Sequence, residues 1–213
     1  MRKKLAVGLG IALLAIVGIG LLQFVRAGFT SESFQRDADL ARLQDLEQMG
    51  RWLSEYYTAQ GTAPFEGTES LPVYVFVATS EQQKFTESGS FPMVRKSLRE
   101  FVDELERGVG HKIEVQFDPQ RKPVNKPNFY MYAVDRGTYN FAVHLHGPYP
   151  FAKELGPHYF KLQVSNHPNP KLGIWSYDEL IKDPAFIKAR ARTPSMPDYI
   201  EKLRSQLARQ EGY

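Results

Sequence analysis

Residues 129–146 read FYMYAVDRGTYNFAVHLH, two aromatic and β-branched runs around Asp135-Arg136-Gly137. The pattern predicts a hairpin, with Gly137 supplying the positive φ that a tight turn demands. Alternate residues of a strand project to opposite faces. Tyr139, Phe141, Val143 and Leu145 therefore share one face, expected to be the core. Asn140, Ala142, His144 and His146 share the other. Working outward, Leu71 to Ala78 (LPVYVFVA) is apolar on both sides and reads as a buried strand. Ile113 to Phe117 alternates strictly and reads as a half-buried strand, broken by Asp118-Pro119. Residues 119–127 (PQRKPVNKP) form a loop. His158 to Ser165 is a further strand with Phe160, Leu162 and Val164 inward. The chain holds 14 Phe and 11 Tyr against 2 Trp, an aromatic content that suits antiparallel sheet.

Helical spacing governs the segments between and around these strands. From Phe34 to about Ala59, Phe34, Ala38, Leu40, Leu43, Leu46, Met49, Leu53, Tyr56 and Tyr57 recur in steps of three and four. Arg36, Asp37, Asp39, Arg42, Asp45, Glu47 and Arg51 fall elsewhere on this amphipathic helix. Ser31 or Ser33 can cap it, Gly61 ends it and Pro64 stops it. Phe91-Pro92 opens a second helix, to about Gly108, with Val94, Leu98, Phe101, Val102 and Leu105 on its stripe. Thr79 to Ser90 is a polar loop. After the loop at 166–173 (NHPNPKLG), residues 176–192 and 197–210 are helical by pattern.

Ahead of all this stands Leu5 to Val25, 21 residues without a charge, preceded by Arg2, Lys3 and Lys4. At about 1.5 Å per residue such a helix covers roughly the 30 Å of a bilayer core. The cations lie mostly before it, which keeps residues 1–4 in the cytoplasm and sends 27–213 across the inner membrane. A cleaved signal peptide also starts basic, but its apolar region usually runs about 7–15 residues; the greater length here favours a retained anchor. Ala6/Gly10 and Gly8/Ala12 are small-residue pairs that let another helix approach, so Gly8, Gly10 and Ala12 are the candidate contacts for other membrane helices or self-association.

Charge excludes one function class. Arg2, Lys3, Lys4 and Arg26 are four of the 27 Lys and Arg, and no acid precedes Arg26, so the remainder has 23 cations against 24 anions. A nucleic-acid partner, which needs a basic surface, is not expected. The absence of cysteine excludes disulfides, thiolate metal sites and cysteine nucleophiles.

The order of features then becomes informative. A basic stub and apolar helix lead into an amphipathic helix bearing Arg36-Asp37, Asp45-Leu46 and Leu53-x-x-Tyr56-Tyr57, then Gly61-x-x-Pro64. A second helix, Asp118-Pro119 and a Tyr130-x-Tyr132…Gly137-x-Tyr139 hairpin follow. Over residues 1 to about 146 this layout resembles the type IV pilin and type II secretion pseudopilin family. The resemblance implies a long N-terminal helix packed on a small antiparallel sheet, with Leu43, Leu46 and Leu53 holding sheet on helix. The family's processing glycine and fifth-position Glu are absent; Leu13 stands five residues after Gly8.

Chemical motifs are sparse. His144-x-His146 on one strand face is the one metal-like spacing, suited to zinc or copper with His158 or His167 as a third ligand; two solvent-facing histidines are the plainer reading. Asp118-Pro119 resembles a loop carboxylate for calcium or simply a turn, and a turn is the expectation. Trp52, Tyr56 and Tyr57 are expected in the core rather than in a ligand stack. Glu100, Asp103, Glu104 and Glu106 read as a solvated helix face. No nucleophile elbow, Walker loop or dinucleotide glycine pattern occurs.

The expectation is an α+β chain: stub 1–4, transmembrane helix 5–25, joint 26–33, pilin-like extracytoplasmic domain 34–175 and helical extension 176–213. Its function would be that of a non-enzymatic interaction protein of an envelope or secretion assembly, without cofactor. A membrane-tethered ligand-binding or sensory ectodomain is the alternative, and a metal enzyme using His144 and His146 a third.

Overall fold

A computed structural model describes residues 32–77, 92–119, 130–194, 200–202 and 205. The expected transmembrane helix, with Gly8, Gly10 and Ala12, lies outside them, as does the 79–90 loop. No helix among the described residues is long and apolar enough to cross a membrane. The fold is α+β. Helix α1 (Glu32–Gln60) precedes β1 (Val73–Val77), β2 (Val94–Arg95), α2 (Leu98–Val109), β3 (Tyr130–Asp135) and β4 (Thr138–Leu145). Then come β5 (Lys153–Gly156), β6 (Tyr159–Ser165), a 3-10 turn (Pro170–Leu172), β7 (Ile174–Trp175), α3 (Tyr177–Leu180) and α4 (Pro184–Arg190).

The strands form one seven-stranded sheet, ordered β2-β1-β3-β4-β6-β5, with β7 also paired to β6. It is mixed rather than antiparallel: β2 runs parallel to β1 and β7 parallel to β6. The β3–β4 hairpin forms as expected, with Asp135 opposite Thr138. Both turn residues are left-handed, Arg136 at φ 44° and Gly137 at φ 79°, which matches the strand twist. Asn166 clamps the hairpin: its Nδ2 donates to the Gly137 carbonyl at 2.6 Å and its Oδ1 accepts the Tyr139 N–H at 3.0 Å.

The odd face of β4 is the core. Tyr139, Phe141, Val143 and Leu145 are buried there, joined by Phe160, Leu162 and Val164 of β6. Leu43, Leu46 and Leu53 of α1 are fully buried against this face. Leu180, Phe186 and Ala189 of α3 and α4 enter the same core. Residues 176–192 are thus two short helices, because Asp183 caps the Phe186 N–H and Pro184 starts a new first turn.

Two expected elements differ. The second helix begins at Leu98, not Phe91, because Ser97 and Glu100 form a reciprocal capping box; Val94 pairs with β1 instead. Residues 113–117 bury Ile113 and Phe117, half-bury Val115 and Gln116, and join no strand. Both ends of that segment are tied to α1, where no strand edge is on offer: His111 Nε2 lies 3.3 Å from Glu55 and Asp118 grips Arg42. The segment therefore runs antiparallel to α1 along its flank.

Where α1 and α2 cross, Gly108 lies against the Tyr56 ring. A Cβ at 108 would sit 2.1 Å from ring atoms Cδ2 and Cε2. That ring is held by its hydroxyl on Glu104. Gly108→Ala is expected to lower stability by about 2 kcal/mol by overpacking, despite the better helix propensity of Ala. Denaturant midpoints check this, and adding Tyr56→Leu should return most of the loss.

Candidate functional site

Arg42 is the organising polar residue, and it is 1% exposed. Its Nε and Nη2 donate to the two oxygens of Asp118 at 2.8 and 2.9 Å, a bidentate pair across 76 residues of chain. Its Nη1 donates to Asp39 Oδ1 at 3.0 Å and to His146 Nδ1 at 2.8 Å. A guanidinium can only donate, so that ring nitrogen accepts. Asp39 also receives the His146 and Gly147 backbone N–H groups at 2.9 and 2.8 Å. It thereby fastens the end of β4 to α1. One turn on, Asp45 Oδ2 takes the Tyr130 hydroxyl at 2.5 Å. Burial pushes the Arg42 pKa down, but the charge and hydrogen bonds of Asp118, then Asp39, outweigh it and the net shift is upward.

His144 lies beside this cluster, stacked on Tyr159 with ring centroids 4.6 Å apart. Its Nδ1 is buried without a hydrogen-bond partner. Burial, reinforced by the Arg42 charge, holds its pKa down at about 4. Burial likewise pushes the Tyr159 hydroxyl up to about 12.

These positions revise several expectations. Asp118, expected as a turn residue, is the buried counterion of Arg42. Asp37, Asp39, Arg42 and Asp45 are buried, although they stand off the leucine stripe. His144 and His146 are half-buried rather than fully solvent-facing. His158 is exposed in the β5–β6 turn, and His167 lies at the far end of β6 beside Thr138. No three His, Asp or Glu side chains gather into a metal-holding group among the described residues. At the point where the carboxylates converge, the guanidinium already supplies the cation. Trp52 and Tyr56 are core residues as expected, whereas Tyr57 is 37% exposed. Glu104 and Glu106 are half-buried and engaged, with Tyr56 and with the Ile113 N–H.

On the other flank of α1 lies an open groove of about 960 Å³. The helix forms one wall, from Asp37 to Trp52, and residues 111–117 form the other. Pro194, Ile200 and Ser205 contribute from the C-terminal part. Leu40, Trp52, Phe117 and Ile200 bring apolar surface to it, all of them largely buried. The polar cluster thus spends its hydrogen bonds internally, while the groove on the other flank is open.

The class defined so far is an α+β domain braced by a buried arginine cluster beside a groove. No family model, curated protein or solved structure matches the chain.

Proposed function

We propose that the chain is a single-pass, membrane-anchored interaction protein of pilin- or pseudopilin-like build, displaying residues 27–213 outside the cytoplasm as part of an envelope or secretion assembly. The observation that carries this reading is helix α1. It runs unbroken from Glu32 to Gln60 and lies along β4 and β6, and it starts seven residues after the apolar Leu5–Val25 stretch ends. A rod fixed to a sheet at one end and to a bilayer at the other transmits position rather than chemistry. The Arg42 cluster fits this role. Its members spend their hydrogen bonds on one another and on backbone, which stiffens the junction between α1 and the sheet. The pilin likeness rests on the order of sequence features and on this helix-on-sheet packing.

The reading is tested on protein extracted from its native membrane. Intact mass and N-terminal sequencing should return Met1 or Arg2, in protein that stays with the membrane through alkaline carbonate washing. A terminus near Ala27 in a carbonate-soluble protein would replace the anchor with a cleaved signal and end the proposal.

A further inference from the structure

We propose that the sheet edge at β5 is a membrane-docking surface whose partner is the anionic phospholipid surface around the anchor; this rests on the anchored reading above. Exposed apolar side chains mark the edge. Leu155 and Leu172 are the two most exposed large apolar residues of the described chain, at 51% and 46%. Leu155 lies in β5 itself. Leu172 precedes Gly173, where a Cβ would lie 2.7 Å from the Lys153 backbone nitrogen. Three lysines stand beside them. Lys153 and Lys161 are directly opposite across β5 and β6, and Lys171 precedes Leu172. Like charges so placed repel, and none of the three has an ion pair among the described residues. Glu154, in register with the inward Phe160, stands on the other face of the sheet. Edge lysines blunt unwanted strand pairing, but that service requires no exposed leucines between them. Leucines among lysines suit a headgroup layer, where the apolar chains reach the acyl boundary and the ammonium groups meet lipid phosphates.

The course of the chain turns this edge toward the anchor. Asp39 of α1 holds the His146 N–H just after β4, whereas Tyr57 meets Tyr139 at the start of that strand. So β4 runs antiparallel to α1, and β6, its antiparallel neighbour, runs parallel to α1. At Gly50 a Cβ would lie 3.3 Å from Val164. From Val164 back to His158 is about 20 Å of strand, equal to about thirteen residues of helix. The β5–β6 turn therefore stands beside the first two turns of α1, at the end nearest the bilayer. The joint from Val25 to Glu32 reaches about 25 Å at most. That keeps the turn within about 35 Å of the hydrocarbon edge, and a lean of the domain toward β5 brings the leucines to the headgroups. Because the anchor makes this contact intramolecular, a patch of modest affinity suffices.

The test uses the full chain in vesicles, with a fluorophore on His158→Cys or on Thr62→Cys; the chain has no other cysteine. Both positions are exposed, 158 in the β5–β6 turn and 62 beyond the far end of α1. The vesicles are phosphatidylcholine with about 30% phosphatidylglycerol and a lipid carrying a headgroup quencher. Quenching at 158 should exceed that at 62 at least twofold. Phosphatidylcholine alone should remove at least half of the difference, because the lysines lose their counterions. Lys153→Glu with Lys171→Glu should do the same, and Leu155→Asp with Leu172→Asp should abolish it. Equal quenching at 158 and 62, a difference indifferent to lipid charge, or one that survives either double variant would overturn the proposal. Protein that leaves the vesicles in alkaline carbonate would overturn the anchor and this proposal with it, whereas any of those results in retained protein overturns the docking alone.

Discussion

Asp118→Ala is expected to cost about 3–5 kcal/mol, the largest loss of any single substitution considered. The reason is what remains, not what is removed. Arg42 stays in place, 1% exposed, and its Nε and Nη2 lose both acceptors. The guanidinium keeps its charge at any accessible pH, so it cannot escape by deprotonation as a buried lysine would. Asp39 and His146 remain on Nη1 alone. Denaturant unfolding of the full chain measures the loss. Arg42→Met combined with Asp118→Leu should be more stable than Asp118→Ala, because no buried guanidinium is then left without its bidentate acceptor. Asp39 would still hold the two backbone N–H groups after β4. If Asp118→Ala is silent, the cluster does not brace the fold.

The second large effect is a dependence on pH. His144 is held at about 4 in the folded chain, against an ordinary 6.5. Burial lowers its pKa most, the Arg42 and Lys161 charges lower it further, and Asp118 raises it. Because the folded pKa is depressed, the unfolded chain takes up the proton first as pH falls. The stabilising contribution is complete above about pH 6.5, falls through the window down to about pH 4, and is then exhausted. A shift of this size corresponds to about 3 kcal/mol. His144→Phe keeps the stack on Tyr159 and removes a nitrogen that has no partner. The variant should match the parent at pH 7.5 or exceed it by about 1 kcal/mol, and should gain on it steadily as pH falls from 6.5 to 4. Parallel stability curves for the two proteins would show that His144 is not held neutral.

Much of the architecture was legible because single residues decided it. Gly137 marked the hairpin turn, and the odd residues from Tyr139 to Leu145 marked its buried face. The α1 stripe was equally plain, from Leu40 through Leu53. Val94 misled, because it fits the spacing of a helical stripe and equally the apolar character of a strand; the Ser97-x-x-Glu100 box was the stronger signal. Ile113 to Phe117 shows that alternation reports burial on one side, not pairing. What covers the other side depends on tethers such as Asp118 to Arg42, which no local pattern contains.

The site was harder to read. Asp39, Arg42 and Asp45 each stand one position before a buried leucine of α1, hence about 100° around the helix. Such positions flank a core rather than oppose it, and that geometry was the available hint. Which distant residue meets them was not written locally: Asp118 comes from 76 residues away and His146 from 104. The histidine spacing drew attention to the right strand for the wrong reason. His146 is an acceptor for Arg42, and His144 is a half-buried ring stacked on Tyr159.

The central claim is that residues 5–25 cross the membrane once and place the α+β domain outside. The chain has no cysteine, so an introduced thiol reports alone. Lys3→Cys and Thr62→Cys, the latter at an exposed position just beyond α1, would be treated in intact spheroplasts with a membrane-impermeant maleimide. The account predicts labelling at 62, none at 3, and labelling of both once detergent opens the membrane. Labelling at 3 but not at 62, or at neither until detergent is added, would contradict it.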